Sequence, residues 1–152
     1  MRVFRITSAK YVGRALSGEG AARAPGRWNS HGMRMGYTAQ SESLAKLEML
    51  VHIDRQDVPT GYRILTIEVP DDAIEVLDLD VLPEGWGAFP YDAAARNIGD
   101  RWIAEGRSLA LRVPSVVART EWNLLVNPAH ARAGEILLIE DEPLAFDPRL
   151  FP

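Results

Sequence analysis

The sequence predicts one α+β domain spanning residues 1–152, with short strands outnumbering helices. Its length of 152 residues is typical of a single domain and allows roughly 68–70% of the unfolded surface to be buried. Hydrophobic residues make up 47% and charged residues 25% of the chain, which is an ordinary globular balance. Short segments of strand composition are more numerous than helical patterns. We therefore expect a compact fold of short mixed strands and a few helices.

The first third of the chain begins with a strand and reaches a helix through a long irregular segment. Residues 3–7 have strand composition, and residues 13–36 contain six glycines, which indicate a long loop or an irregular hairpin. Residues 35–39 predict a strand at the end of this loop. Ser41 is a suitable N-cap for a helix over residues 42–53.

The middle of the chain predicts two strands and a second helix. Residues 62–69 alternate in the way that strands do, and Pro70 closes them. Residues 74–77 indicate another short strand. Residues 91–105 have a helical pattern that ends at Gly106.

The last third predicts further strands. Residues 109–113 form an apolar strand, whereas residues 119–127 fit neither a helix nor a strand clearly. Residues 135–139 and 144–146 predict a final hairpin around the intervening Asp-Glu-Pro.

Several classes of protein are disfavoured by composition. The chain has no cysteine, which excludes disulfides, thiolate metal sites and cysteine nucleophiles. Its three histidines are scattered without the spacing of a metal site, so no metal is predicted. No apolar segment resembles a signal peptide or reaches the ~20 residues of a membrane span. We therefore expect a cytoplasmic protein without membrane contact.

Charge is distributed unevenly along the chain. The net charge of -4 argues against generic nucleic-acid binding. Residues 1–36, however, hold seven basic residues, mostly arginine, and one acidic residue. A basic segment in an acidic protein favours a small anionic ligand, although any one of these arginines could instead be solvated or paired with a distant acid.

Glu48 occupies an unexpected position in the predicted helix. At about 100° per residue, Leu44, Leu47 and Val51 form an apolar arc, and Glu48 falls within it. A buried carboxylate must be paired, hydrogen-bonded or protonated. Glu48 therefore points into a cleft, forms a structural salt bridge with an arginine, or flanks the helix at the solvent boundary. His52 lies near the edge of the arc and is interpreted as a boundary residue.

The glycine-rich loop contains a second candidate. Gly26 permits a close backbone approach, and Arg27 could present its guanidinium to a phosphate or carboxylate. The alternative is a tight turn in which Trp28 fills the core. Tyr37, at the end of the loop, either stacks on a flat ligand ring or simply packs.

Ser115 and Asn123 complete the candidates. Ser115 follows an apolar strand but lacks a Gly-x-Ser-x-Gly elbow and an obvious histidine partner, so a Ser-His-Asp hydrolase is not predicted. Asn123 is read as a cap or turn residue from its type alone.

Taken together, these residues resemble the RES domain, the toxin of RES–Xre toxin–antitoxin pairs. Order and spacing of the motifs hold over nearly the whole chain. The matching segments are Gly26-Arg27-Trp28-Asn29, Tyr37, Leu44-Ala45-Lys46-Leu47-Glu48, Ile98-Gly99-Asp100-Arg101-Trp102, Val113-Pro114-Ser115, Glu121-Trp122-Asn123, Val126-Asn127-Pro128 and Phe146-Asp147-Pro148-Arg149-Leu150.

The resemblance implies a fold like that of ADP-ribosylating toxins and NAD+ as the substrate, with no metal. Carried over to this sequence, it implies catalytic roles for Arg27, Tyr37, Glu48 and Ser115. It also implies that Arg27, Trp28, Tyr37 and Asn123 contact NAD+.

The implied reaction is cleavage of the nicotinamide–ribose bond, which degrades NAD+ by hydrolysis or phosphorolysis. An alternative is a mono-ADP-ribosyltransferase that modifies a host protein, and a more remote one is a non-catalytic nucleotide-binding module. The resemblance further implies an Xre-type antitoxin as partner, with the antitoxin rather than this chain contacting DNA.

Overall fold

In the part of the chain that the structure describes, one mixed sheet of seven strands forms the centre of the fold. The computed structural model describes residues 1–54, 59–91 and 93–151. In chain order the strands are β1 (Arg2–Ser8), β2 (Gly36–Ala39), β3 (Tyr62–Glu68), β4 (Ile74–Val76), β5 (Ala110–Pro114), β6 (Trp122–Val126) and β7 (Leu137–Pro143). Their order across the sheet is β4-β5-β6-β2-β1-β3-β7. Within the described ranges β4 and β5 pair in parallel and the other neighbours are antiparallel.

Three α-helices and several short 3-10 segments connect these strands in the described residues. The α-helices are α1 (Glu19–Arg23), α2 (Glu42–Leu50) and α3 (Ala93–Glu105). The 3-10 segments are Ala9–Arg14, Asp71–Ala73, Leu79–Val81, Ala133–Glu135 and Pro148–Leu150. The predicted α+β class, with short strands outnumbering α-helices, is confirmed, and the ambiguous stretch 119–127 contains β6.

The ends of the two longer helices follow local chemistry. Ser41 caps α2, because its hydroxyl accepts a hydrogen bond from the backbone N–H of Leu44 at 3.0 Å. This helix ends at Leu50 instead of the predicted residue 53. Gly106 stops α3 as predicted, since its φ of +59° lies in the left-handed region. The predicted start of α3 at residue 91 was early, because the helix begins at Ala93 and residue 92 lies outside the described residues.

The two faces of the sheet carry different cores. Phe4 and Ile6 of β1 pack with Leu44 and Ala45 of α2, and α3 covers the same face further along; we call this side the helix face. Val3 alternates onto the other side, where it packs with residues of β3 and of the segment after β1; we call this side the opposite face. The sheet therefore separates two distinct environments.

The predicted loop over residues 13–36 is more structured than expected. It contains the end of the first 3-10 segment and all of α1. Gly18 precedes α1 with a φ of +72°, and a β-carbon there would lie 2.5 Å from the backbone nitrogen of Met35. A left-handed glycine in close contact with the returning chain thus allows a short helix inside a glycine-rich segment.

The predicted final hairpin is wrong. Residues 137–143 form the single strand β7, which pairs with β3 along its length and passes through the Asp-Glu-Pro that suggested a turn. Arg63 of β3 holds this stretch in place, because its Nε donates to Oδ1 of Asp141 at 2.6 Å. Proline and charged residues are tolerated here because β7 is an edge strand.

None of the helices in the described part of the chain has the length and apolar character needed to cross a bilayer.

Candidate active site

The inward direction of Glu48 on α2 is confirmed, but the helix is rotated relative to the predicted arc. Leu44 and Ala45 face the sheet with 1% and 7% exposure. Leu47 and Val51, predicted to face the core, are 39% and 54% exposed. On the helical wheel Glu48 falls between the two buried residues, so it lies nearer the centre of the buried face than its apolar neighbours suggested.

The carboxylate of Glu48 joins three elements of the fold. Its Oε1 accepts a hydrogen bond from the hydroxyl of Ser115 at 2.9 Å and another from Nδ2 of Asn123 at 2.7 Å. Ser115 directly follows β5, and Asn123 lies in β6. Two adjacent strands and one helix therefore bring together three residues that the sequence analysis singled out.

Ser115 is buried and its hydroxyl is fully used. It is 2% exposed, and its oxygen accepts from the backbone N–H groups of Val117 and Ala118 at 3.2 Å each. Its single proton is donated to Glu48. A hydroxyl has only one proton to donate, so this arrangement suits orientation of Glu48 and not attack as a nucleophile.

Two acceptor atoms at this junction have no hydrogen-bond partner among the described residues. Oε2 of Glu48 receives no hydrogen bond there. Oδ1 of Asn123 is buried and also unpartnered. Unsatisfied acceptors beside an oriented carboxylate are suited to the hydroxyl or amide groups of a ligand.

A network of side-chain hydrogen bonds joins the start of α2 to the start of β6. The carboxylate of Glu121 accepts from the hydroxyl of Ser41 and from Nε2 of Gln40, both at 3.0 Å. Gln40 in turn accepts from the backbone N–H of Trp122 at 3.1 Å. The start of the helix that carries Glu48 is thereby held to the strand that carries Asn123.

Arg27 lies in a separate group of contacts. Its guanidinium donates to the backbone oxygens of Trp86 and Ala88 at 2.6 and 3.0 Å. The ring of Tyr91 stacks 4.9 Å from the guanidinium carbon. Arg27 forms no ion pair with the residues that the structure describes. Among the described residues, the contacts that hold this positive charge come from neutral groups.

Tyr37 anchors the loop that presents Arg27. Its hydroxyl donates to Oδ1 of Asn29 at 2.7 Å and accepts from the backbone N–H of Trp28 at 3.3 Å. Burial raises the pKa of Tyr37 above its ordinary value, so the phenol stays protonated. A β-carbon at Gly26 would lie 2.7 Å from the same hydroxyl, which explains the glycine. The Tyr37 hydroxyl is thus committed to the loop, while the half-buried ring remains the part that a ligand could contact.

Trp28 packs in the core next to the loop. Its indole is 3% exposed and lies in one cluster with Trp102 and Leu125. This packing agrees with the alternative in which Trp28 fills the core. The contact of Trp28 with NAD+ that the resemblance implies stays a prediction.

Helix α3 packs directly against the loop that carries Arg27. A β-carbon at Gly99 would overlap the backbone oxygen of Trp28, so the helix and the loop touch through this glycine. Next to it, the carboxylate of Asp100 accepts from the backbone N–H of Ser30 at 2.9 Å.

A contact between Tyr91 and His52 connects the Arg27 group to the Glu48 group. The hydroxyl of Tyr91 lies 3.4 Å from Nε2 of His52, which follows α2 one turn beyond Glu48. Tyr91 therefore touches Arg27 with its ring and His52 with its hydroxyl.

The chain is similar to known proteins over nearly its whole length. The family model described as the RES domain matches residues 2–147.

The chain belongs to the RES domain family.

Relatives of this RES domain match over most of their length. It is 39% identical over 152 residues to Toxin Res of Yersinia enterocolitica, covering 99% of each chain. It is also 39% identical over 138 residues to the Prs ADP-ribosylating toxin of a Sphingobium strain, covering 89% of this chain and 86% of that one. A chain in the crystal structure of the M. tuberculosis MbcT–MbcA toxin–antitoxin complex superposes with a TM-score of 0.67 at 24% identity, over 94% of this chain and 83% of that chain. This last likeness shows that the fold is shared.

Sequence reasoning missed several residues that organise the site. Asn29 is fully buried; it accepts from Gly26 and Tyr37 and donates to three backbone oxygens, yet its position in a matching motif was its only signal. Trp86 and Tyr91 were missed because their contacts to Arg27 span about sixty residues of chain. In the part of the RES domain that the structure describes, no group of three or more acidic or histidine side chains is arranged to hold a metal ion.

Proposed function

We propose that this RES domain is the toxin of a toxin–antitoxin pair and that it degrades NAD+ by cleaving the nicotinamide–ribose bond. The observation that carries the proposal is the Glu48 carboxylate, which is oriented through Oε1 by two donors while Oε2 has no partner among the described residues. Membership of the RES domain family supports NAD+ as the substrate.

The bond that breaks joins C1′ of the nicotinamide riboside to the ring nitrogen of nicotinamide. The bonding electron pair goes to that nitrogen, so the cationic ring leaves as a neutral molecule and needs no general acid. Positive charge develops on the ribose as in glycoside hydrolysis. An oxygen of water or inorganic phosphate then bonds to C1′, and water releases a proton. The products are nicotinamide and either ADP-ribose or its phosphate ester.

Glu48 stabilises the developing charge. Its Oε2 accepts a hydrogen bond from a ribose hydroxyl, and the carboxylate lies beside the cationic sugar in the transition state. Ser115 and Asn123 hold Oε1, so little reorganisation is needed when the charge forms. Ser115 and Asn123 thus orient Glu48. The buried Oδ1 of Asn123 accepts a hydrogen bond from an amide or hydroxyl group of the substrate.

Arg27 binds the pyrophosphate. Guanidinium groups donate in pairs to phosphate oxygens, and Arg27 has no carboxylate partner among the described residues that would compete. The exposed part of the Tyr37 ring stacks on nicotinamide, which places the scissile bond between Arg27 and Glu48.

The second candidate function is mono-ADP-ribosylation of a host protein. It shares the bond cleavage and differs in the acceptor, which is then a protein side chain instead of water or phosphate. The relative named Prs ADP-ribosylating toxin, at 39% identity, favours keeping this alternative.

The proposal includes an antitoxin partner. The structurally similar chain comes from a toxin–antitoxin complex, which supports a partner of that kind for this chain. We propose an Xre-type protein that covers the site and itself contacts DNA, with both proteins in the cytoplasm.

The deciding experiment incubates the purified chain with NAD+, with and without inorganic phosphate, and follows the products by phosphorus NMR. Phosphate-dependent conversion assigns a phosphorylase, and phosphate-independent ADP-ribose assigns a hydrolase. If NAD+ stays intact in both samples, a third sample receives a host-cell extract as the source of acceptor proteins. Release of nicotinamide there, together with ADP-ribose bound to an extract protein, assigns the transferase instead.

Substitution of Glu48 tests the mechanism within the same assay. Glu48→Gln keeps the side-chain shape and removes the charge, so turnover should fall at least about 100-fold while NAD+ binding persists. Glu42→Gln is the matched control, since Glu42 lies on the same helix, half exposed and paired with Lys46. Full turnover in Glu48→Gln would exclude the proposed role.

A further inference from the structure

A small polar cavity lies beside β1, apart from the residues proposed to act on NAD+. Its volume is about 120 Å³. Arginine side chains dominate its walls: Arg5 of β1, Arg14 from the first 3-10 segment and Arg23 of α1. Among the described residues of the lining, Glu19 is the one acidic residue. The cavity is thus lined by basic residues of the N-terminal segment that have no role in the proposed NAD+ site.

Arg5 is the central observation. Arg5 is half-buried, partial burial lowers its pKa, and it forms no ion pair with the described part of the chain. One of its nitrogens donates to the backbone oxygen of Tyr37 at 2.5 Å. Its Nε is buried and has no hydrogen-bond partner among the described residues. A buried cation without a counter-charge is costly, and an anion in the adjoining cavity would offset that cost.

The other two arginines share one carboxylate. Arg14 and Arg23 approach the same oxygen of Glu19 at 3.1 and 3.8 Å. The side chains of Arg14 and Arg23 are 52% and 76% exposed, so both can turn towards a ligand. With Arg5 included, three positive charges face one negative charge around the cavity, and the local excess is positive.

The cavity and Glu48 lie on different faces of the sheet. Arg5 alternates with Phe4 and Ile6, and those two residues pack on the helix face beneath α2. Arg5 therefore projects to the opposite face. Arg27, the proposed pyrophosphate ligand, does not line the cavity.

We propose that this cavity is a second anion site, which binds a phosphate group. Guanidinium groups match the oxygens of phosphate, and the hydroxyls of Thr7, Tyr11 and Ser17 in the lining can donate as well. The cavity volume of about 120 Å³ exceeds the ~10–15 Å³ that a cavity needs to hold one water molecule, which leaves room for a small oxyanion. The phosphate group comes either from inorganic phosphate or from a small nucleotide. This proposal does not depend on cleavage of NAD+.

Binding is tested on the full chain by NMR titration of backbone amides with inorganic phosphate, at ionic strength held constant with sodium chloride. The glycine amides of Gly18 and Gly20, which line the cavity, should shift and saturate at millimolar phosphate, about 1–10 mM. A parallel titration with adenosine monophosphate shows whether the bound phosphate group belongs to a nucleotide or to the free ion. Saturating shifts of the same glycines with the nucleotide assign a nucleotide phosphate, and shifts with inorganic phosphate alone assign the free ion.

Variants distinguish phosphate binding in this cavity from a general effect of charge and from binding in the proposed NAD+ site. The double variant Arg14→Gln/Arg23→Gln changes exposed residues, so it should fold, and phosphate affinity should fall about tenfold or more. Arg2→Gln is the control for general charge; it removes an exposed arginine of β1, the strand of Arg5, outside the cavity and should change affinity less than about twofold. Arg27→Gln should leave the Gly18 and Gly20 shifts intact.

Three results would overturn the site. The first is absence of saturable shifts at Gly18 and Gly20 up to about 50 mM phosphate. The second is an equal loss of affinity in Arg2→Gln, which would indicate general charge screening. The third is loss of the shifts in Arg27→Gln, which would place phosphate in the proposed NAD+ site.

Discussion

The hydroxyl of Ser115 donates to Oε1 of Glu48 at 2.9 Å, joining residues 67 positions apart in the sequence. The same hydroxyl accepts two backbone N–H groups from the turn that follows β5. The turn fixes the serine, and the serine fixes the carboxylate. The position of a charged group on α2 is therefore set by the end of a strand in the second half of the chain.

Ser115→Ala should lower the turnover of NAD+ by about tenfold, because Glu48 keeps Asn123 as a donor but loses the hydroxyl that sets its angle. Steady-state kinetics should show the change in kcat with a smaller change in KM. Ser43→Ala, at an exposed position of α2, is the control. Wild-type kcat in Ser115→Ala would show that the hydrogen bond has no part in turnover.

Arg27→Gln should act mainly on binding. If Arg27 holds the pyrophosphate, its loss should raise KM for NAD+ by roughly tenfold to 100-fold, in keeping with one lost charge-assisted pair. Arg34→Gln, an exposed arginine of the same loop, is the comparison. An unchanged KM in Arg27→Gln would remove Arg27 from the proposed site.

Features that depend on near neighbours could be predicted from the sequence. The cap at Ser41 and the stop at Gly106 follow from the chemistry of one turn of helix, and both were correct. The predicted strand at residues 62–69 likewise corresponds to β3, because its alternation is local. The resemblance to the RES domain family then predicted catalytic roles for Glu48 and Ser115.

Features that depend on distant partners could not be predicted. The Asp-Glu-Pro stretch has turn composition, but pairing with β3 and the Arg63–Asp141 contact make it part of a continuous strand. Leu47 seemed to face the core, yet the polar groups of β5 and β6 that meet Glu48 decide which side of α2 is buried. Periodicity shows that a helix has faces, whereas the rest of the fold decides which face is covered.

Tyr37 should make stability sensitive to alkaline pH. Its pKa is raised by burial, so above the ordinary phenol pKa of 10.0 the unfolded chain releases a proton that the folded chain retains. Stability from this group is complete below about pH 10 and is lost as pH rises above it, by about 1.4 kcal/mol per pH unit.

Urea unfolding from about pH 8 to about pH 11 measures this effect. Tyr37→Phe should show a shallower decline in the free energy of unfolding above about pH 10 than the wild type. Tyr11→Phe, at an exposed position, should retain the wild-type slope. Equal slopes in Tyr37→Phe and the wild type would mean that the phenol is not protected by the fold.

Gly99→Ala should destabilise the protein although alanine normally favours a helix. The added β-carbon would overlap the backbone oxygen of Trp28, and neither α3 nor the loop can yield easily. The loop is fixed by Asn29 and Tyr37, and Trp28 itself is enclosed in the core. Relief of the overlap therefore has to move α3 or the loop that carries Arg27.

For Gly99→Ala we expect a loss of about 1–3 kcal/mol in the free energy of unfolding, together with a raised KM for NAD+. Gly134→Ala is the matched control, because a β-carbon there meets nothing within 4 Å, and its stability should change by less than about 0.5 kcal/mol. A Gly99→Ala variant as stable as Gly134→Ala would show that the contact between α3 and the loop is loose, and the support proposed for Arg27 would then have to come from Asn29 and Tyr37 alone.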